Sequence, residues 1–360
     1  MVVGVIRRAL LVLVLALLVS ASEALPQPSV SAIPSPSVVA GLPAAHRVGG
    51  AYRNLDPEYH RAPLWARARS LIVGGTWLVG ERRVVPLPID PPNVAALRAN
   101  TSRPTVTWIG HATLLVQLDG VNFLTDPTWA SRSGPFSGLV GVGRYTPPAI
   151  AFDDLPRIDF VLISHDHYDH LDEPTVKHLA QEFNPRFVVP LGIKKWLEDR
   201  RITNVVELNW GESVKIGSVT IVCTPAQHGS GRTLVDQGRR LWASWAVLGS
   251  RRFYFAGDTG YYHHFKDIGE ALGPFDLAAL PIGSYTPRAL AKPVHLSPEE
   301  ALQAWQDLRA AKFLGIHWGT FALAREPYDE PPRRIAEEVG RRHLAAESVW
   351  ILKPGATTTW

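Results

Sequence analysis

The sequence predicts an α/β fold in which two mixed β-sheets lie between outer helices. Three observations lead there. Short apolar runs recur from residue 105 to residue 316, helical patterns alternate with them, and four of the runs end on histidine or aspartate. In a chain of 360 residues with an apolar fraction of 46%, such a list of elements can bury a large core.

Residues 1–24 read as an export signal. Arg7 and Arg8 supply the positive end, 9–19 the apolar stretch, and Ser22-Glu23-Ala24 a small-x-small cleavage site. The stretch is short for a transmembrane helix, and an uncleaved anchor is the alternative reading. Export places the protein in the periplasm if the source is bacterial, in contact with a membrane surface. Residues 25–46, rich in Pro, Ser and Ala, read as a flexible linker. Residues 47–100 form an N-terminal extension expected to pack on the main domain, 101–360. Within the extension, 63–73 has a helical pattern, and Trp65, Trp77 and Leu78 add apolar bulk for the core, for lipid or for a partner subunit.

Strands follow over 106–109, 113–118 and 121–125, the last two joined by the Asp119-Gly120 turn of a hairpin. Residues 159–164 form a buried strand. Helices are expected at 174–183 and 193–201, and strands at 187–190, 205–208, 219–224, 242–248, 253–256 and 277–282. Ser297-Pro298-Glu299-Glu300 is a capping box opening a helix to about 309. A strand at 312–316 and a helix at 331–343 complete the list. The single cysteine, Cys223, lies in an apolar strand and reads as a buried side chain that can form no disulfide within the chain. Net charge is +4 with Lys and Arg scattered, which gives no footprint for nucleic acid.

The chemistry sits where the strand at 159–164 ends. Ser164-His165-Asp166-His167-Tyr168-Asp169-His170 puts three imidazoles and a carboxylate within six residues, a donor set for borderline metal ions. Alternate side chains of an extended loop point the same way, so His165 and His167 can share one ion while Asp169 and His170 turn to a second. His228, Asp258 and His317 each follow a later apolar strand. Seven donors on one edge of a layered sheet are enough for two ions.

Several stretches then carry a resemblance. They include Gly110-His111-Ala112-Thr113, Phe123-Leu124-Thr125-Asp126-Pro127, the histidine loop, Ala256-Gly257-Asp258-Thr259-Gly260-Tyr261, and Ile316-His317-Trp318-Gly319-Thr320-Phe321. Over residues 100–355 the chain resembles a metallo-β-lactamase-fold hydrolase, and within that superfamily the N-acylphosphatidylethanolamine-hydrolysing phospholipase D family. The resemblance implies the metallo-β-lactamase αββα sandwich and two Zn2+ ions. His165, His167 and His228 would hold one, Asp169, His170 and His317 the other, with Asp258 bridging. Mn2+ or Fe2+ would accept the same donors.

It implies catalytic roles for Asp258, which positions the nucleophile, and for His295 beside the substrate. It places Asp126 in support of the ligands. His111 reads as a hydrogen-bonding support for Asp126 or for a ligand, and Tyr168 as packing or substrate contact. His263 and His264 read as surface residues. Two departures stand out: Gly229 where family members carry a bulky aromatic, and Asp166 where an amide is expected. The implied substrate is a phospholipid or another small anionic ester, and the family allows a homodimer. The same donors would serve a lactonase or other carboxylic-ester hydrolase, and a catalytically silent membrane-associated binding protein is the reading outside enzymes.

Overall fold

The structure is a computed structural model that describes residues 35–56, 84–136, 139–233 and 235–360. The export signal, residues 25–34 of the linker, the helix expected at 63–73 and the side chains of Trp65, Trp77 and Leu78 lie outside the described residues. Among the described residues no helix is long and apolar enough to cross a membrane.

Two sheets face each other. The first runs in the order β11 (Val205–Leu208), β10 (Arg186–Pro190), β9 (Phe160–Leu162), β6 (Val121–Thr125), β5 (Thr113–Leu118), β4 (Thr105–Gly110) and β19 (Thr357–Thr359). The second runs β1 (Ser37–Val38), β12 (Glu212–Ile216), β13 (Val219–Thr224), β14 (Ser244–Leu248), β15 (Arg252–Phe255), β16 (Leu277–Pro281), β17 (Lys312–Ile316) and β18 (Val349–Trp350). Two ribbons stand outside them: β2 (Arg47–Val48) with β3 (Ala51–Tyr52), and β7 (Arg132–Ser133) with β8 (Val142–Gly143). Both large sheets are mixed. β6, β9, β10 and β11 pair in parallel, as do β15 to β18, and the remaining pairs are antiparallel.

Apart from the edge strand β19, the strands of the first sheet are buried on both faces, covered by the second sheet on one side and by helices on the other. Alternate residues go to opposite cores. Leu114, Val116, Phe123, Phe160, Leu162 and Val188 pack between the sheets. Leu115, Leu124, Val161, Ile163, Phe187 and Val189 face the helices. Those helices are α1 (Val94–Ala99), α2 (Glu173–Glu182) and α3 (Ile193–Glu198). Behind the second sheet lie α4 (His264–Leu272), α6 (Pro298–Asp307) and α7 (Glu330–Arg341), while the short α5 (Arg288–Ala291) leads into His295, whose N–H donates to the Ala291 carbonyl at 2.8 Å. The expected αββα sandwich is the observed architecture.

Local expectations hold with small shifts. Asp119 and Gly120 both take positive φ, 51° and 81°, in a two-residue turn closing the β5–β6 hairpin. The Ser297 capping box forms, with Ser297 Oγ accepting from Glu300 N–H at 3.3 Å and Glu300 Oε2 from Ser297 N–H at 2.9 Å. Cys223 is buried and free.

One stretch differs from the flexible linker expected for 25–46. Ser37–Val38 pairs as an edge strand with β12, and Val39 N–H donates to the Gly211 carbonyl at 2.7 Å. An edge strand needs only backbone groups, so composition rich in Pro and Ser did not announce it. Of the extension, Tyr52 enters the inter-sheet core and Leu55 and Leu87 pack against it.

Candidate metal centre

Four strand ends meet at one edge of the sandwich. The loop after β9 turns through His165 to His170 and closes on itself, with His170 and Leu171 N–H both donating to the His167 carbonyl at 3.1 and 2.8 Å. His228 follows β13, Asp258 follows β15 and His317 follows β17 directly. The two sheets are joined here, since His317 N–H donates to the His111 carbonyl at 2.9 Å. His111, Asp126 and His317 hold positive φ of 55°, 35° and 60°, a region where His and Asp are among the less strained side chains. Gly257 is a close approach: it has φ +58°, and a Cβ there would stand 2.4 Å from Ser164 Cβ.

Two groups of ring nitrogens face inward. His167 Nδ1 lies 2.8 Å from His165 Nε2 and 3.2 Å from His228 Nε2. Opposite them, His170 Nε2 and His317 Nε2 are 3.1 Å apart, and Asp169 Oδ2 is 3.3 and 3.4 Å from the two. Asp258 stands between the groups. Its Oδ1 is 3.0 Å from His317 Nε2, and its Oδ2 is 3.3 Å from His170 Nε2 and 3.8 Å from His228 Nε2.

Donors of one tetrahedral zinc, each at about 2.0–2.1 Å from the ion, stand about 3.3 Å apart. The observed spacings suit shared cations. Asp258 Oδ1 is buried without an aligned hydrogen-bond donor, an orphan that a cation would satisfy. The donor set therefore fits two ions.

An outer ring of hydrogen bonds aims these donors. Asp126 Oδ2 is 2.6 Å from His170 Nδ1 and accepts from Ser164 Oγ at 2.5 Å, while its Oδ1 accepts from Ser164 N–H at 2.7 Å. Ser164 Oγ lies 2.9 Å from His165 Nδ1. His228 Nδ1 donates to the Val294 carbonyl at 2.9 Å. His111 Nε2 lies 2.9 Å from Asp169 Oδ2, so of its two expected partners it takes the ligand-type carboxylate and not Asp126. His295 Nδ1 is 3.8 Å from Asp258 Oδ2, and its side chain is 19% exposed at the open side of the cluster.

Charges divide the cluster. Burial holds the His111 pKa down to about 3 and that of His295 to about 4, and it lowers His165, His167 and His228 as well. Burial works against charge at His170 and His317 too, but carboxylates outweigh it. Asp258, Asp169 and Asp126 raise His170 well above its ordinary value, and Asp258 and Asp169 raise His317 to about 9. Asp169 and Asp258 are held well below the usual carboxylate range, burial being outweighed by His170 for the first and by His317 and His170 for the second. Burial raises Asp126.

Tyr168 is not among the converging groups. Its hydroxyl donates to the Arg232 carbonyl at 2.9 Å, and the Arg232 guanidinium lies 4.0 Å over its ring. It therefore packs the histidine loop onto the segment after His228. Asp166 does similar work, pairing with Arg240 at 2.7 Å and accepting from Gly231 N–H at 2.7 Å. His263 is exposed, and with His264 and Asp267 it forms a separate surface trio.

Sequence reasoning missed Asn54. Its Oδ1 accepts from His228 N–H at 3.0 Å, its Nδ2 donates to the His228 carbonyl at 2.9 Å, and Trp242 Nε1 donates to the same Oδ1 at 3.0 Å. A lone Asn 174 positions before its partner carries no local signal.

Fold and donors together define a metal-dependent hydrolase of the β-lactamase fold. The model of the beta-lactamase superfamily domain matches residues 121–318. A Caenorhabditis elegans protein named N-acyl-phosphatidylethanolamine-hydrolyzing phospholipase D 1 is 50% identical over 246 residues, covering 65% of this chain and 68% of the relative. The chain belongs to the N-acylphosphatidylethanolamine-hydrolysing phospholipase D family within the metallo-β-lactamase-fold hydrolases. An uncharacterized protein of Mycobacterium tuberculosis is 41% identical over 307 residues, 82% of this chain and 80% of that one. Among solved structures, the metallo hydrolase Igni18 of Ignicoccus hospitalis shares the fold, with TM-score 0.55 and 24% identity over 72% of this chain and 99% of its own.

Proposed function

We propose that the protein is a dinuclear-zinc phosphodiesterase that cleaves phospholipids, N-acylated ethanolamine phospholipids among them, in the manner of a phospholipase D. The observation that carries this reading is the place of Asp258 between two groups of inward-facing imidazoles. The likeness to the Caenorhabditis elegans relative supports the choice of a phospholipid. The reading includes export, for which the pattern of residues 1–24 is the support.

Two zinc ions held there would draw the pKa of a water toward 7 and take up charge on the ester oxygens. His165, His167 and His228 would hold one and Asp169, His170 and His317 the other, with Asp258 reaching both. Mn2+ or Fe2+ suits the same donors. The remaining work belongs to the chain. Asp126 and His111 keep His170 and Asp169 in their orientations. His295, neutral at pH 7 because burial lowers its pKa to about 4, offers an uncharged N–H to the oxygen on which negative charge develops.

The test is hydrolysis of an N-acyl phospholipid by metal-replete enzyme with the products identified. Phosphatidic acid and the free N-acyl alcohol are expected, whereas turnover of lactones alone would overturn the reading. Replacing Asp169, His170 or Asp258 by Ala is expected to remove bound metal and hydrolysis together with the circular dichroism spectrum unchanged. Full activity in a metal-free variant would refute the assignment of these residues.

A further inference from the structure

His295 differs from its neighbours in how little holds its ring. His170, His165, His228 and His111 each have a ring nitrogen within hydrogen-bond reach of a side chain or carbonyl that aims it. Among the described residues no hydrogen bond reaches the His295 ring, and its Nδ1 is buried without a partner. The ring lies against two others, its centroid 5.2 Å from that of His228 and 5.9 Å from that of His317. Its direction is therefore set by this packing and by the backbone that carries it. Both backbone polar groups of His295 are taken. The N–H donates to the Ala291 carbonyl at 2.8 Å, and the carbonyl accepts from Arg288 Nη1 at 2.9 Å.

Arg288 is placed to fix that backbone. It opens α5, and while Nη1 holds the His295 carbonyl, Nη2 donates to both oxygens of Glu300 at 2.8 and 2.7 Å. Glu300 Oε2 also accepts from Ser297 N–H at 2.9 Å, in the capping box of α6. One planar guanidinium thus ties His295 to the start of the helix that follows it. The chain just before His295 is braced as well. The Pro293 carbonyl presses on Gly260, where a Cβ would stand 2.5 Å from it, and the Val294 carbonyl takes His228 Nδ1. An ion pair as exposed as that of Arg288 with Glu300, 31% and 25%, gives the fold little by itself. The third bond, to the residue beside Asp258, is what distinguishes it. We propose that Arg288 is a positioning residue: by clamping the His295 carbonyl to Glu300 it holds the imidazole at the open side of the cluster, facing Asp258. The inference rests on the role given to His295 above, while the clamp itself can be measured without turnover. A lysine would keep the charge beside Glu300, but its compact ammonium lacks the flat fork that spans carboxylate and carbonyl together.

The experiment uses the full, metal-replete chain with isotope-labelled histidine, observed by NMR. The ring resonance of His295 is identified by its absence in His295→Ala. Arg288→Met is expected to shift and broaden it, while that of the exposed His263 stays in place. On an N-acyl phospholipid, Arg288→Met is expected to lower kcat about tenfold at unchanged KM and metal content. Arg288→Lys, which keeps a charge for Glu300 and guards against a variant that fails to fold, is expected between Met and the parent in both readouts. In a His295→Ala background, Arg288→Met is expected to change the residual kcat by about twofold at most. A His295 resonance unmoved in Arg288→Met would overturn the proposal, as would an equal loss of kcat with and without His295. A moved resonance in a protein that hydrolyses no phosphodiester would instead sink the functional reading and leave the clamp on His295 standing.

Discussion

The Asp126 carboxylate touches His170, the Ser164 hydroxyl and the Ser164 N–H at once, and so orients donors on which both halves of the centre depend. Replacing it by Asn keeps the shape and removes the charge that aligns the imidazole. Metal affinity is expected to fall about 10–100-fold with folding retained, as measured by titration with a competing chelator. Gly257 tests a steric point. A methyl group there meets Ser164 while φ is positive, so Gly257→Ala is expected to cost about 2 kcal/mol in chemical denaturation and to disturb Asp258 next to it. At this scale the sequence pointed to the converging side chains by the density of the histidine loop, with His228, Asp258 and His317 gaining meaning only from their shared place behind apolar strands. It did not announce direction. Tyr168 lies inside the loop yet turns its hydroxyl to Arg232, and Asn54 grips His228 from far away in the chain.

Elements were legible where burial imposes a pattern. β5, β6 and β9 are apolar on both faces, and α6 opens on a capping box, so each is visible locally. β1, β12, β18 and β19 were not read as strands, because they are short or partly exposed and owe their pairing to backbone hydrogen bonds. Helix α7 carries a prediction of its own. Glu338 accepts from Arg341 Nε and Nη2 at 2.6 Å each and also bonds Arg342, and these bonds bring its pKa from 4.5 to about 2. A carboxylate depressed in the folded state stabilises it fully above pH 4.5, and that stability is lost as pH falls through 2. Glu338→Gln is expected to lower stability by about 1 kcal/mol at pH 7. In thermal melts the gap between variant and parent should close as the pH is brought down from 4.5 toward 2.

For the whole molecule, the decisive fact is that the centre draws on both sheets. Asp169 and His170 follow a strand of the first, and His228, Asp258 and His317 follow strands of the second. Ions bound there would tie the layers together, and binding to the folded form alone would add about 2.7 kcal/mol when free metal is 100 times its dissociation constant. Treatment with a chelator is expected to lower the melting temperature by several degrees, with recovery on adding back zinc. A melting temperature indifferent to chelation would show that the layers do not need the ions.

The Asn54 clamp sets a limit on how far the molecule can be pared down. A shortened protein beginning at β4 would retain most of the large sheets, and a designer would be tempted to regard it as the minimal enzyme. It would lack the pincer on the backbone of its third imidazole, together with Tyr52 and α1, which pack into the two cores. Any truncation series meant to keep the hydrolase working has to start ahead of position 54.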